Sequence, residues 1–134
     1  MVIIKYSKIK KQVPSAIKKL KIKKLVPAAA TSYQIGAILK DSWGGEQTNI
    51  DFYCIIRRKN TYVTLLPMTK KITKTSDNMV NTVIPLAIIP GAQPIRKKIK
   101  VWDNQEQGFT FRNYTGGGWC RLWNGKPVTE THYA

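Results

Sequence analysis

The sequence predicts a mainly β fold, a small barrel or strongly bent antiparallel sheet of about six strands, preceded by a basic N-terminal extension. Three observations carry this expectation. From residue 33 onward the hydrophobic residues recur with period two. Gly, Pro and Asn punctuate the chain at short intervals, and there is neither an internal repeat nor an alternation of strand-like with helix-like segments. A length of 134 residues suits one domain, and 43% hydrophobic with 10% aromatic residues is enough to bury a core.

Residues 1–32 read as a basic extension and linker, and residues 33–134 as a single β domain. The first 40 residues hold ten lysines and no acid, Asp41 being the first carboxylate. Residues 14–25 fit a short helix through Ile17, Leu20 and Leu25 and fit a strand almost as well. Like charges at this density, Lys18 and Lys19 among them, repel one another, so the segment is expected to order only against the domain or a ligand. Pro27 and the Ala-Ala-Ala-Thr-Ser stretch after it read as the linker.

Within the domain, the short apolar run 35–39 is a strand. Residues 48–58 alternate, with Ile50, Phe52, Cys54 and Ile56 on one face and Asp51, Tyr53 and Arg57 on the other. Lys59-Asn60 turns this strand into 61–66, a hairpin that Pro67 is expected to end. The basic, polar stretch 70–81 reads as a loop. Residues 83–89 follow as a strand that Pro85 and Pro90 keep at an edge. Further strands are expected at 95–102, 108–113 and 119–123, with turns at the three glycines 116–118 and at Asn124-Gly125.

The charge balance, 23 Lys and Arg against 7 Asp and Glu with a net charge of +16 and a pI of about 10.1, indicates a polyanionic partner. Alternation over 95–102 places Ile95, Lys97, Ile99 and Val101 on one side and Arg96, Lys98, Lys100 and Trp102 on the other. Cations spaced by about 7 Å follow successive phosphates, and the indole at the end of the row stacks on a base. Similar basic-aromatic mixtures occur at Phe109, Phe111, Arg112 and Tyr114, and at Trp119, Arg121 and Trp123. With Lys18 and Lys19 these rows make up the expected nucleic-acid surface, RNA or single strands being the favoured ligands. The competing reading is that the lysines solvate an edge strand while the aromatics fill a small barrel.

The densest polar cluster, residues 41–53, contains Trp43, Gln47, Thr48, Asn49, Asp51 and Tyr53. Its amides suit base edges and its rings offer flat faces, while the same amides suit a wide turn tied to backbone groups. The run Tyr33-Gln34-Ile35-Gly36-Ala37-Ile38-Leu39, then Ser42-Trp43-Gly44 and Gln47-Thr48-Asn49-Ile50-Asp51-Phe52-Tyr53, resembles a family of small, largely uncharacterised phage and plasmid proteins. The tail Arg121-Leu122-Trp123-Asn124-Gly125-Lys126-Pro127, with the closing His132-Tyr133-Ala134, is similar to that family's C-terminal motif. Gly45 stands where the family usually has an aromatic, and Asn124 where it usually has Asp. The resemblance spans residues 33–134 and implies a mobile-element origin and a compact β fold, without an established activity.

Catalysis has little to draw on. A hydrolase would have to use Asp51, Tyr53, Arg121 and His132, the sole histidine, two residues from the end of the sequence. Glu46 and Asp51, two acids within the polar cluster, fall on opposite strand faces, and Cys54 lies on an apolar face where a thiol is core. The glycine run lacks the Lys and Ser or Thr of a phosphate loop, so no cofactor or metal is expected. No apolar run reaches the length of a membrane span, and the N-terminus lacks a signal-peptide core, which places the expected protein in the host cytoplasm. The two readings of function are thus a mobile-element nucleic-acid-binding protein and a counter-defence inhibitor, anti-CRISPR-like, of a host effector ribonucleoprotein or nucleotide messenger.

Overall fold

A computed structural model describes residues 31–44, 47–76, 80–111 and 119–131. Among these residues nine strands occur and no helix: β1 Ile38–Trp43, β2 Asn49–Lys59, β3 Tyr62–Ser76, β4 Val80–Ile88, β5 Ile95–Lys98, β6 Lys100–Trp102, β7 Gln105–Gly108, β8 Arg121–Leu122 and β9 Val128–Thr131. The main sheet is antiparallel in the order β8-β1-β2-β3-β4-β9, with β5 added beside β3, and β6-β7 form a separate hairpin. The six-strand path curls through 252° into a half-barrel, which is the bent β sheet expected from the sequence.

Ile50, Phe52, Cys54 and Ile56 share one face of β2 and Asp51 and Tyr53 the other, as anticipated, but both faces are covered. Arg57 falls on the Cys54 face rather than beside Tyr53, because the register shift after Ile55 reverses the alternation. Ile50 and Phe52 join Ile38, Val83 and Trp123 in one cluster, and Cys54 and Ile56 join Leu66 and Ile88 beside it. On the opposite face Ile55 packs with Leu39, Val63, Leu65, Ile99, Phe109, Cys120, Tyr33 and Ala37. A register shift between Ile55 and Arg57 bends β2 where it passes between these two packed regions. Asn60, at φ 55°, turns β2 into β3, Lys59 facing Tyr62 directly, so the tight turn is Asn60-Thr61, one residue beyond the position expected.

Several expected boundaries are corrected. The strand expected at 35–39 is displaced: Ile35 and Gly36 form a turn, and β1 begins at Ile38 and extends through Asp41 and Ser42 to Trp43. Pro67 does not end β3. Its carbonyl accepts from Ile89 N at 2.9 Å on the β4 side, and the N–H that proline lacks would point the same way, where β4 leaves the ladder. Residues 70–76, expected as loop, continue β3 against β4, and residues 77–79 lie outside the described residues. β4 is flanked by β3 and β9 rather than lying at an edge, and Pro85 is accommodated because β9 pairs only as far as Val83. β9 has no counterpart among the expected strands.

The stretch 95–102 is not one strand. β4 and β5 line the same edge of β3, interrupted at residues 89–94; at Ile99, which is 1% exposed and whose N–H donates to Thr61 O at 2.7 Å, the chain then changes partner. Lys100, Val101 and Trp102 belong to the β6-β7 hairpin, whose turn residues Asp103 and Asn104 take φ 53° and 62°. The strand expected at 108–113 reduces to the end of β7 and a bridge between Phe109 and Cys120; residues 112–118, with the glycine run, lie outside the described residues. Gly108 is required there: at φ 87° a Cβ would collide with the Cys120 carbonyl.

Where β2 and β3 part, side chains replace the ladder. Glu130, 3% exposed, accepts from Ile50 N at 3.0 Å, and Lys70 Nζ donates to Ile50 O at 2.6 Å while pairing with the same Glu130 carboxylate. Thr131 completes the closure, its hydroxyl accepting from Thr48 N at 2.7 Å and its N–H donating to Thr48 O at 3.0 Å. Ile50 and Thr48 are thereby bonded to β9, which seals the half-barrel at its open side.

Candidate nucleic-acid interface

The strand register brings together cations that are far apart in the chain. Lys98 of β5 lies opposite Tyr62 of β3, which lies opposite Lys59 of β2. One step along, Arg96 lies opposite Thr64, which lies opposite Arg57. Directly opposed residues of an antiparallel sheet point to the same face. Arg57, Lys59, Arg96 and Lys98 therefore form two cationic rails flanking Tyr62 and Thr64, and all four are exposed. Spacing along each rail is about 7 Å, and the rails are about 10 Å apart across two strand intervals.

Tyr62 organises one rail. The Arg96 guanidinium lies 4.3 Å from the ring centroid and the Lys98 ammonium 5.9 Å, both within cation-π range. Of the other described cations, Arg58 donates to Tyr33 O at 2.7 Å and is paired with Glu106, whose carboxylate raises the guanidinium pKa above its ordinary value against a smaller opposing effect of burial, and Lys70 is tied to Glu130. Lys97 points to the opposite face, its Nζ donating to Thr110 O at 3.1 Å and lying 4.9 Å from the Phe111 ring. No acid occupies the rails among the described residues.

Beyond Lys98 the surface continues into a groove of about 390 Å³ lined by Thr61, Lys98, Ile99, Lys100 and Val101. Trp102, the next residue, is 78% exposed. Of the row expected on one strand face, Arg96 and Lys98 are together on β5, and Lys100 and Trp102 follow on the hairpin. Arg121 is exposed on β8, its guanidinium 5.6 Å from the Trp119 ring and its Nε donating to Gln107 O at 3.1 Å. Trp123 is placed in the core instead, 2% exposed, edge-on to Phe52 with Nε1 donating to Lys126 O at 2.7 Å. Arg112, Lys18, Lys19 and His132 lie outside the described residues.

The polar cluster forms a hydrogen-bonded brace. Trp43 Nε1 donates to Asp51 Oδ2 at 2.7 Å, Gln47 Nε2 to Asn49 Oδ1 at 3.2 Å, and Asn49 Nδ2 to Trp43 O at 3.4 Å. Gly44, at φ 121°, has no room for a Cβ beside the Gln47 carbonyl. Asp41, fully buried, faces Asp51 across the strands, and Tyr53 stacks on Phe111 at 4.8 Å. These residues share the β1-β2 face away from Trp123, so the cluster and Trp123 do not line one concavity. Asn124 Oδ1 accepts from Lys126 N at 3.0 Å, a bond an Asp oxygen would make equally well.

Of the side chains named for hydrolysis, Asp51, Tyr53 and Arg121 lie among the described residues and are not brought to one face. Arg121 faces Lys40, one residue out of phase with Leu39, the partner of Tyr53. Burial pushes the Cys120 thiol well above the ordinary thiol range, reinforced by Asp41 and partly offset by Lys97. Among the described residues no group of three or more His, Cys, Asp or Glu is arranged to hold a metal, and no helix is long and apolar enough to cross a membrane. Comparison with protein-family models, with curated proteins and with solved structures returns no match.

The sequence reading singled out Arg96 and Lys98 but not Arg57, Lys59 and Tyr62. The period-two signal was present at residues 57–59. What it lacked was the return of β5 to β3, which doubles the rail.

Proposed function

We propose that the protein binds nucleic acid through the β2-β3-β5 face. The observation that carries this reading is the pair of rails, four exposed cations around Tyr62 with no acid among them. A row of lysines protecting an edge needs no aromatic centre and no second rail, whereas a polyphosphate backbone uses both: cations spaced like phosphates, and a flat ring between them. The mobile-element origin implied by the sequence resemblance belongs to the same proposal, and such a protein would act on nucleic acid inside a host cell.

The test is binding of fluorescently labelled oligonucleotides, followed by anisotropy over a salt series. Log affinity should fall linearly with log salt, and replacing Arg57, Lys59, Arg96 and Lys98 together by Gln should reduce the slope by about 3 for a single strand, at about 0.7 per phosphate contact. Ile99→Asp, on the packed face, should instead unfold the domain by burying an unpaired charge. An unchanged slope in the folded quadruple variant would remove the reading. Capture of a host protein that survives nuclease treatment, with no binding to naked oligonucleotide, would favour the counter-defence alternative.

A further inference from the structure

The groove beside the rails has the composition of a subsite rather than of a gap in the surface. Its position follows from Ile99. Because that side chain turns into the core and its N–H is held by Thr61 O, Lys98 and Lys100 emerge together on either side of it. Thr61 lines it as well, and Trp102, 78% exposed, stands immediately beyond, two residues on from Lys100 and on the same face of β6, while the Val101 side chain, opposite Glu106, faces the other way. Two cations, a threonine and a free aromatic face are the complement of a single nucleotide: phosphate, ribose and base. The volume of about 390 Å³ lies within the range of small-ligand sites.

We infer that this groove seats one unstacked nucleotide of a single strand, with its phosphate between Lys98 and Lys100 and its base reaching beyond the groove onto Trp102. The inference rests on the nucleic-acid reading and adds to it a ligand class and a position. A base inside a duplex is stacked on both faces and offers no free face to an indole, so the groove discriminates by strand state, while the rails attract any polyanion. Lys98 belongs to both features, holding the rail on one side and the groove on the other. A strand running along the rails thus enters the groove without a gap in its phosphate contacts.

The experiment compares an eight-nucleotide single-stranded RNA with the same sequence in a duplex, using the full chain and the variants Trp102→Ser and Val101→Ser. Both substitutions lie at exposed positions, and thermal melting confirms that each variant folds. Single-strand affinity should fall about ten-fold or more in Trp102→Ser, with the salt slope unchanged because no charge is lost. Val101→Ser, whose side chain lies on the opposite face of β6, should leave single-strand affinity unchanged, and duplex affinity should stay constant in both variants. In Trp102→Ser, equal losses for single strand and duplex, or no loss in either, would overturn the subsite while leaving the rails and their salt slope intact. Failure of the wild-type chain to bind either oligonucleotide would overturn the subsite together with the reading on which it rests.

Discussion

At Cys120 burial and charge act mostly in one direction. The thiol has no exposed surface, removal from water disfavours its thiolate, and Asp41 and Asp51 add to the effect while Lys97 opposes it. Cys54, 4% exposed, sits in the core on the opposite face of β2. Neither thiol should react with a disulfide reagent at pH 8 in the native protein, and both should react in guanidinium, a difference that a colorimetric thiol titration reads directly. The raised Cys120 pKa also has a sign for stability. The unfolded thiol ionises from about pH 9 while the native one stays protonated, so the unfolded state holds fewer protons and stability falls as pH rises through that range. Tyr33, raised chiefly by burial, acts in the same direction at higher pH. Melting temperature should therefore decline above pH 9, and Cys120→Ala should flatten the first part of that decline. Trp123 illustrates what residue type alone conceals. In sequence it neighbours Arg121 and resembles a surface ring, but a carbonyl at Lys126 satisfies its N–H, and a Trp so satisfied is free to bury its body.

Among the elements, β2 was the most legible, because residues 49–54 alternate strictly, although the register shift between Ile55 and Arg57, which reverses the phase, has no mark in the sequence. The hairpin into β3 was legible for the same reason, with Asn60 marking the turn. The rest of β3 was not: residues 70–76 are polar because they are exposed, and their pairing comes from β4, not from any apolar face of their own. The break at Ile99 was equally hidden. Alternation runs unbroken through residues 95–100, and only the change of hydrogen-bonding partner ends the strand. β9 escaped notice because it is short and contains Glu130, a residue that reads as solvent-facing. The structure uses that carboxylate as a substitute for a strand, bonded to Ile50 N and to Lys70. Lys70→Met should consequently cost roughly 1–3 kcal/mol by removing a cationic partner of the buried Glu130 carboxylate, which keeps its bond from Ile50 N. Glu130→Gln should cost less when added to Lys70→Met than when introduced alone. A double-mutant cycle by chemical denaturation measures this coupling, expected to exceed about 1 kcal/mol; additive effects would mean that the clamp is not a unit.

On the scale of the whole molecule, charge is divided between two regions of different character. Nine of the lysines lie in residues 1–30, with no acid among them, and they supply more than half of the +16 net charge. The core clusters among the described residues are built from Tyr33 and later residues. The domain itself presents arginine at Arg57 and Arg96, whose planar forks recognise phosphate with defined geometry, whereas a lysine contacts phosphate as a point charge. Under the proposed nucleic-acid reading, the lysine-only extension is expected to add affinity and salt dependence, and the β2-β3-β5 face with its groove to decide which nucleic acid is held. Deleting residues 1–30 should leave the melting temperature nearly unchanged, weaken binding to every oligonucleotide by a similar factor and reduce the salt slope. The ratio of single-strand to duplex affinity should be preserved. A truncated chain that melts many degrees lower would place part of the domain's core in the extension. One that loses its strand preference while still binding would move specificity out of the β domain and into the basic segment.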